Sequence, residues 1–141
     1  MADKSGYQGQ IFYGTAGTTA ATQLTNVEDL NYNTDVELVE TTTRSDGSSI
    51  PKKVEVPVGL TAEITWAMFM TTTDTSLTAL IAAARTGAAV AIRTKSYSSG
   101  LGFDGDCTLS VTHEMTLKGA SKFNFKASPT DSAGRTWSAN A

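Results

Sequence analysis

One cysteine, one histidine and three prolines occur in 141 residues. A lone cysteine, Cys107, excludes an intramolecular disulfide framework and a cysteine-based zinc site. A lone histidine, His113, is the only imidazole through which a Ser–His–Asp or Cys–His mechanism could run. Charged side chains are also scarce, at 18% of residues against about 25% in an ordinary soluble domain. The net charge of −3 offers no broad basic surface for gripping nucleic acid. No run approaches the roughly 18 apolar residues that a membrane-spanning helix needs. The amino terminus, Met1-Ala2-Asp3-Lys4-Ser5-Gly6, is polar and lacks the apolar segment of a secretory signal. No Asn-x-Ser/Thr acceptor occurs. The chain is therefore expected to be made and folded in a cytoplasm, without a membrane anchor.

What fills the space is threonine, at 23 residues, with 13 serines and 12 glycines. β-Branched side chains pack well on a pleated sheet and lose rotamer freedom in a helix. The composition thus argues for strands and against a helical bundle, a coiled coil or an acidic disordered tail. A chain of this length makes one domain and can bury a core without staples. Charge is unevenly placed: residues 1–40 hold six acids and one base, whereas residues 41–141 hold eight acids and ten bases. Such an imbalance would suit contact between copies of the chain.

Residues 1–9 read as an amino-terminal arm, followed by a short strand at Gln10–Tyr13 and a Gly/Thr/Ala loop at Gly14–Ala21. Gln23–Thr41 is extended. A long polar loop at residues 41–50 contains Asp46-Gly47, a strong hairpin signal. Strand character resumes at Ile50, with Pro51 and Pro57 placing that segment at a sheet edge or bend, since proline donates nothing to a ladder. Val58–Met70 is the clearest strand: Leu60, Ala62, Ile64, Trp66 and Met68 share one face, Thr61, Glu63 and Thr65 the other. Helical spacing of Leu77, Leu80, Ile81 and Ala84, an Asp74 or Thr75 cap, Arg85 in the last turn and Gly87 after it predict a helix over about residues 75–86. Further strands are expected at Ala88–Lys95, Asp106–Met115 and Ser121–Ala127, and residues 128–141 form a carboxy-terminal extension. No internal repeat or second domain appears. The expected fold is mostly β: a two-sheet antiparallel β-sandwich or partial barrel with one flanking helix.

Motifs for chemistry are weak. Gly100-Leu101-Gly102-Phe103-Asp104-Gly105 matches the dinucleotide fingerprint in letters only, because a strand rather than a helix is expected to follow it. His113 shares the parity of Leu109 and Val111 and reads as structural. Cys107 has that parity too, but six residues along a strand is too far for proton exchange. Asp104 and Asp106 lack the remaining oxygens of a calcium loop and read as turn formers. Glu28-Asp29 has no partner acid assignable by spacing. Lys52-Lys53 fits a solvated edge strand. Trp66 reads as core. Trp137, on the terminal extension, is the candidate inter-subunit anchor. No catalytic residue, cofactor or metal site is expected, and the protein is not expected to be an enzyme.

Strong architecture without a convergent site suits a protein that works by assembling. The order of arm, early strands, polar loop, long strand, short helix and three closing strands resembles the major tail tube protein of long-tailed bacteriophages, akin to the type VI secretion tube protein. Asp35-Val36-Glu37-Leu38-Val39-Glu40-Thr41-Thr42-Thr43-Arg44-Ser45-Asp46-Gly47 is similar to the strand and loop of that family. Gly59-Leu60-Thr61-Ala62-Glu63-Ile64-Thr65-Trp66 is similar to its following strand. The similarity of pattern spans roughly residues 10–127.

The resemblance implies a virion tail protein, assembled in the host cytoplasm, whose homohexameric rings stack into a tube through which double-stranded DNA passes without sequence-specific binding. Its other implied partners are tape measure, tail terminator and tail tip proteins. The loop Thr43, Arg44, Ser45, Asp46, Gly47, Ser48, Ser49, Ile50 would reach an adjacent ring. Candidate lumen faces are Thr61, Glu63 and Thr65, and Thr108, Ser110, Thr112 and Glu114. The Lys122 and Lys126 face would be awkward there, because bases hold phosphates. The alternative is another virion or surface β-sandwich, a capsid decoration or carbohydrate-binding module using an exposed aromatic such as Tyr97 or Trp137.

Overall fold

A computed structural model describes residues 9–41, 53–70, 73–115, 117 and 119–141. Seven strands occur among them: β1 (Gln10–Thr15), β2 (Thr22–Gln23), β3 (Val27–Glu40), β4 (Glu55–Phe69), β5 (Ala89–Lys95), β6 (Asp104–Glu114) and β7 (Lys122–Pro129). One helix, α1 (Thr75–Thr86), lies between β4 and β5. All strand pairs are antiparallel, and they form one curled sheet in the order β2-β1-β5-β6-β7-β4-β3. The mostly-β expectation with one helix holds, and the single curled sheet is its partial-barrel alternative; two packed sheets are not found among the described residues. A single apolar face needs only one cover, and α1 provides it.

The ends of α1 follow from its sequence. The Asp74 carboxylate accepts from the backbone N–H groups of Ser76 and Leu77 at 3.1 and 3.2 Å, and Gly87 closes the helix in the left-handed conformation, φ 75°. Leu77, Leu80 and Ala83 then face the sheet. They meet Ile64, Trp66 and Met68 of β4, Leu109 of β6, and Phe123 and Phe125 of β7, all buried. Trp66 stacks on its cross-strand partner Phe125 with ring centres 5.3 Å apart. His113 lies in this layer as its parity suggests, stacked on Phe123 at 4.0 Å with Nε2 2.6 Å from the Ser121 hydroxyl.

Two irregularities shape the edge. Between Glu28 and Asn31, β3 carries an extra residue, and Asp29 there adopts a positive φ of 54°. The Glu28-Asp29 pair is thus a bulge within a strand. Further on, Glu37 pairs with Gly59 but Leu38 pairs with Pro57, so Val58 is an extra residue in β4. Bulges of this kind bend and twist a strand pair.

Candidate assembly surfaces

The longest pair, β3 with β4, outruns the rest of the sheet. β4 contacts β7 only from Ile64 to Phe69, whereas β3 accompanies it from Glu55 to Met68. Over Glu55–Thr61, before the buried Ala62, the two strands therefore form a ribbon that no other described strand joins. Pro57 sits in this stretch, where its missing N–H faces no third strand. The ribbon is apolar: Val36, Leu38, Val39, Val56, Val58 and Leu60 are each between 41% and 57% exposed. The register puts most of these side chains on one face and only Val39 and Val56 on the other, which also carries Asp35, Glu37 and Thr61. Val36 opposite Leu60 continues the core face of the sheet. Beyond the extra residue Val58, Leu38 opposite Pro57 takes that face, and Val39 opposite Val56 falls on the other. A two-stranded ribbon is at best marginal in water unless something packs on it.

The face of the sheet turned away from α1 is polar. All seven candidate lumen residues lie on it, aligned across strands: Thr65 opposite Lys126, Lys126 opposite Ser110, Asn124 opposite Thr112, and Lys122 opposite Glu114. Glu63 and Thr61 follow along β4, and Thr108 along β6. Lys122 and Lys126 share this face, yet each meets carboxylates. Lys126 is 3.6 Å from Glu63; Lys122 is 3.6 Å from Glu114 and 3.9 Å from Glu28. These exposed pairs add little stability, but they cancel the positive potential that made a lysine-bearing lumen awkward. A shallow open depression of about 400 Å³ on this face is lined by Asn31, Thr65, Ser110, Thr112, Asn124 and Lys126 among others.

The carboxy-terminal extension folds back on its own chain. Ser138 exchanges backbone hydrogen bonds with Asp104 at 2.8 and 3.0 Å, and Ala141 does so with Gly102 at 2.8 and 3.3 Å. Trp137 thereby lands on Phe103, ring centres 5.5 Å apart. Gly105 permits this approach, since a Cβ there would lie 2.3 Å from that of Trp137. Part of Trp137 also lines a cleft with Leu60, Ala62 and Pro129, where β4 parts from β7.

Asp104 and Asp106 are not turn residues, as the sequence suggested, but the first acids of β6. Asp106 is fully buried, and its carboxylate accepts from the Gly17 N–H at 2.9 and 3.1 Å. Arg135 pairs with Asp104 and lies 3.4 Å from Asp106, while also donating to the Thr18 carbonyl. This clasp was missed because Asp106 and Arg135 are 29 positions apart. Only the fold-back of the extension brings them together.

Nothing resembling a reaction centre is assembled from these residues. Cys107 is buried, and burial first, then the neighbouring Asp106, pushes its thiol up to about 12. The Gly100–Gly105 stretch leads into β6 and not into a helix. Its glycines serve close packing: a Cβ at Gly102 would lie 2.2 Å from the Thr94 carbonyl oxygen. Among the described residues no cluster of metal-ligating side chains occurs, and no helix is long and apolar enough to cross a membrane. The loop from Thr43 to Ile50, which follows β3 and precedes β4 in the sequence, lies outside the described residues.

No family model and no curated protein matches the chain in sequence. Solved structures do match. The tail of an empty gene transfer agent particle, refined with helical and C6 symmetry, superposes with a TM-score of 0.75 at 14% identity, covering 99% of this chain and 100% of the other. The SPP1 tail tube gives 0.65 at 8% identity over 89% of this chain and 75% of the other. A contractile injection system sheath–tube complex gives 0.56 at 8% identity over 97% and 92%. A chain of one curled antiparallel sheet and one covering helix thus superposes over most of its length on tail components: the protein has the phage tail tube fold.

Proposed function

We propose that this chain is a structural, non-enzymatic virion protein whose copies close into hexameric rings and stack as a tail tube, through which double-stranded DNA passes into a host. The observation that carries this reading is the β3–β4 ribbon, on which Val36, Leu38, Val39, Val56, Val58 and Leu60 each stand between 41% and 57% exposed. Monomers seldom expose contiguous apolar surface of this extent. Among the described residues the sheet also ends in β2 and β3, each paired on one side only. Open edges invite pairing with a further chain, and closure into a ring removes them.

The polar face opposite α1 is the proposed lumen, with Thr61, Glu63, Thr65, Thr108, Ser110, Thr112 and Glu114 along it. Each of its two lysines on β7 is met by a carboxylate, so DNA phosphates would find no unpaired cation on that strand and would slide without being held. The loop Thr43–Ile50 is proposed to reach a neighbouring ring. Trp137, with Phe103 beneath it and a cleft beside it, is proposed to contact a neighbouring copy. Tape measure, terminator and tip proteins would bind the finished tube.

Negative-stain microscopy of the concentrated purified protein tests the reading. Rings or tubes with sixfold end views are expected. A species that remains monomeric at millimolar concentration would overturn it.

A further inference from the structure

The neutralised lysines of β7 have a counterpart two strands away. On β5, Arg93 and Lys95 lie on the same polar face, since Ala89 stands opposite Thr108 and Arg93 opposite Asp104. Neither forms an ion pair among the described residues. The Asp104 carboxylate is taken by Arg135, and Lys95 Nζ lies over the Phe12 ring, 5.3 Å from its centre. The Arg93 Nε is buried and has no hydrogen-bond partner among the described residues. Both side chains border a cleft of about 320 Å³ whose other walls are Phe12, Thr19, Ala20 and Ala21. The loop that forms the outer wall is held in place. Ala20 is buried, and a Cβ at Gly14 would lie 3.2 Å from its Cα. Just before it, the Gly17 N–H donates to Asp106 and the Thr18 carbonyl accepts from Arg135.

We propose that this cleft is a binding site for a phosphate group. Side chains two positions apart on a strand project from one face at a spacing of roughly 7 Å, so the two cations can converge on one anion. A planar carboxylate engages the guanidinium fork alone. A tetrahedral phosphate can give two oxygens to the fork and a third to the ammonium. A bound oxygen can also supply the acceptor that the Arg93 Nε lacks, and an unmet buried donor is costly. The site itself stands apart from the proposed tube; the source of its phosphate rests on it. This face is the proposed lumen, where passing DNA would bring backbone phosphates to the cleft. One such cleft per chain gives an intermittent grip, unlike a continuous basic lining.

Amide NMR tests it. Inorganic phosphate and, separately, a short DNA duplex are titrated into dilute protein at constant ionic strength. Saturable shifts at Phe12, Thr19, Ala20, Ala21, Arg93 and Lys95 are expected with phosphate. Arg93→Gln/Lys95→Gln should weaken this binding at least about tenfold, and Lys95→Gln alone, which leaves the buried Nε in place, at least about threefold. Lys53→Gln/Arg85→Gln removes the same charge elsewhere and should bind as the wild type does. Shifts of the same amides with the duplex identify nucleic acid as a source of the phosphate; shifts with inorganic phosphate alone identify a free phosphate. No saturable shift with either probe, or undiminished binding by Lys95→Gln, would overturn the site and leave the tube standing. A chain that binds phosphate here yet stays monomeric at millimolar concentration would keep the site and overturn the tube.

Discussion

Arg135 and Asp106 meet at 3.4 Å although 29 positions separate them, and the carboxylate has no exposed surface at all. The guanidinium is thereby the cation that lets an acid remain inside this fold, and the same carboxylate holds the Gly17 amide of the β1–β2 loop.

Removing the cation should therefore be costly. Arg135→Ala is expected to destabilise the monomer by about 3 kcal/mol, the lower range for leaving a buried charge unpartnered. Asp106→Asn in the same background should recover part of the loss, since the amide carries no charge. Denaturant melting of the single and double variants measures both, and additive losses would refute the pairing.

Trp66 is 2% exposed and stacked on Phe125. Trp66→Ala should cost about 3–5 kcal/mol and impair folding. Trp66→Phe keeps an aromatic stack and removes an indole N–H that has no partner among the described residues, so it should cost under about 1.5 kcal/mol. Equal melting of the alanine variant and the wild type would remove Trp66 from the core.

The Cys107 thiol, raised by burial from its ordinary 9.0 to about 12, sets an alkaline limit on stability. Its neutral form is favoured in the folded state, so its contribution is complete below pH 9.0 and is lost as pH rises from there towards 12. Wild type should lose more stability than Cys107→Ala between pH 9 and pH 11, and a thiol reagent at pH 8 should react only after unfolding. Parallel pH curves for the two proteins would contradict this.

Deleting Ser45–Ser49, a polar stretch of turn-type residues between β3 and β4 in the sequence, should leave the melting temperature unchanged, because such residues offer no apolar side chain to a core. Ring stacking should fail. Normal tubes from that variant, seen by microscopy, would remove the loop from the inter-ring contact.

Much of this architecture was legible along the chain. Helix α1 matches residue for residue because its signals are local: an aspartate cap, apolar side chains at helical spacing, and a terminal glycine. Strict alternation from Leu60 to Met68 likewise identified the face that α1 covers. Sheet count was not legible, since alternation tells which side of a strand is buried and not which strand lies beside it. Asp104 and Asp106 resembled turn residues because their partner sits on the returning extension. The shared face of Thr65, Lys126 and Ser110 followed from parity within each strand, but the neutralising pair Lys126–Glu63 needed the register between strands.

The parting of β4 from β7 at Ile64 has a mechanical consequence. Ribbon and trunk are one continuous strand, so a pull on a docked ribbon passes along β4 into the six-residue seam Ile64–Phe69. Tension applied along the strand axis loads the hydrogen bonds of that seam together, in shear, and cannot peel them off singly. The stacked Trp66 and Phe125 lie in the middle of the seam. Strain between neighbouring molecules would thus be borne where Ile64, Trp66, Met68, Phe123 and Phe125 lie buried together.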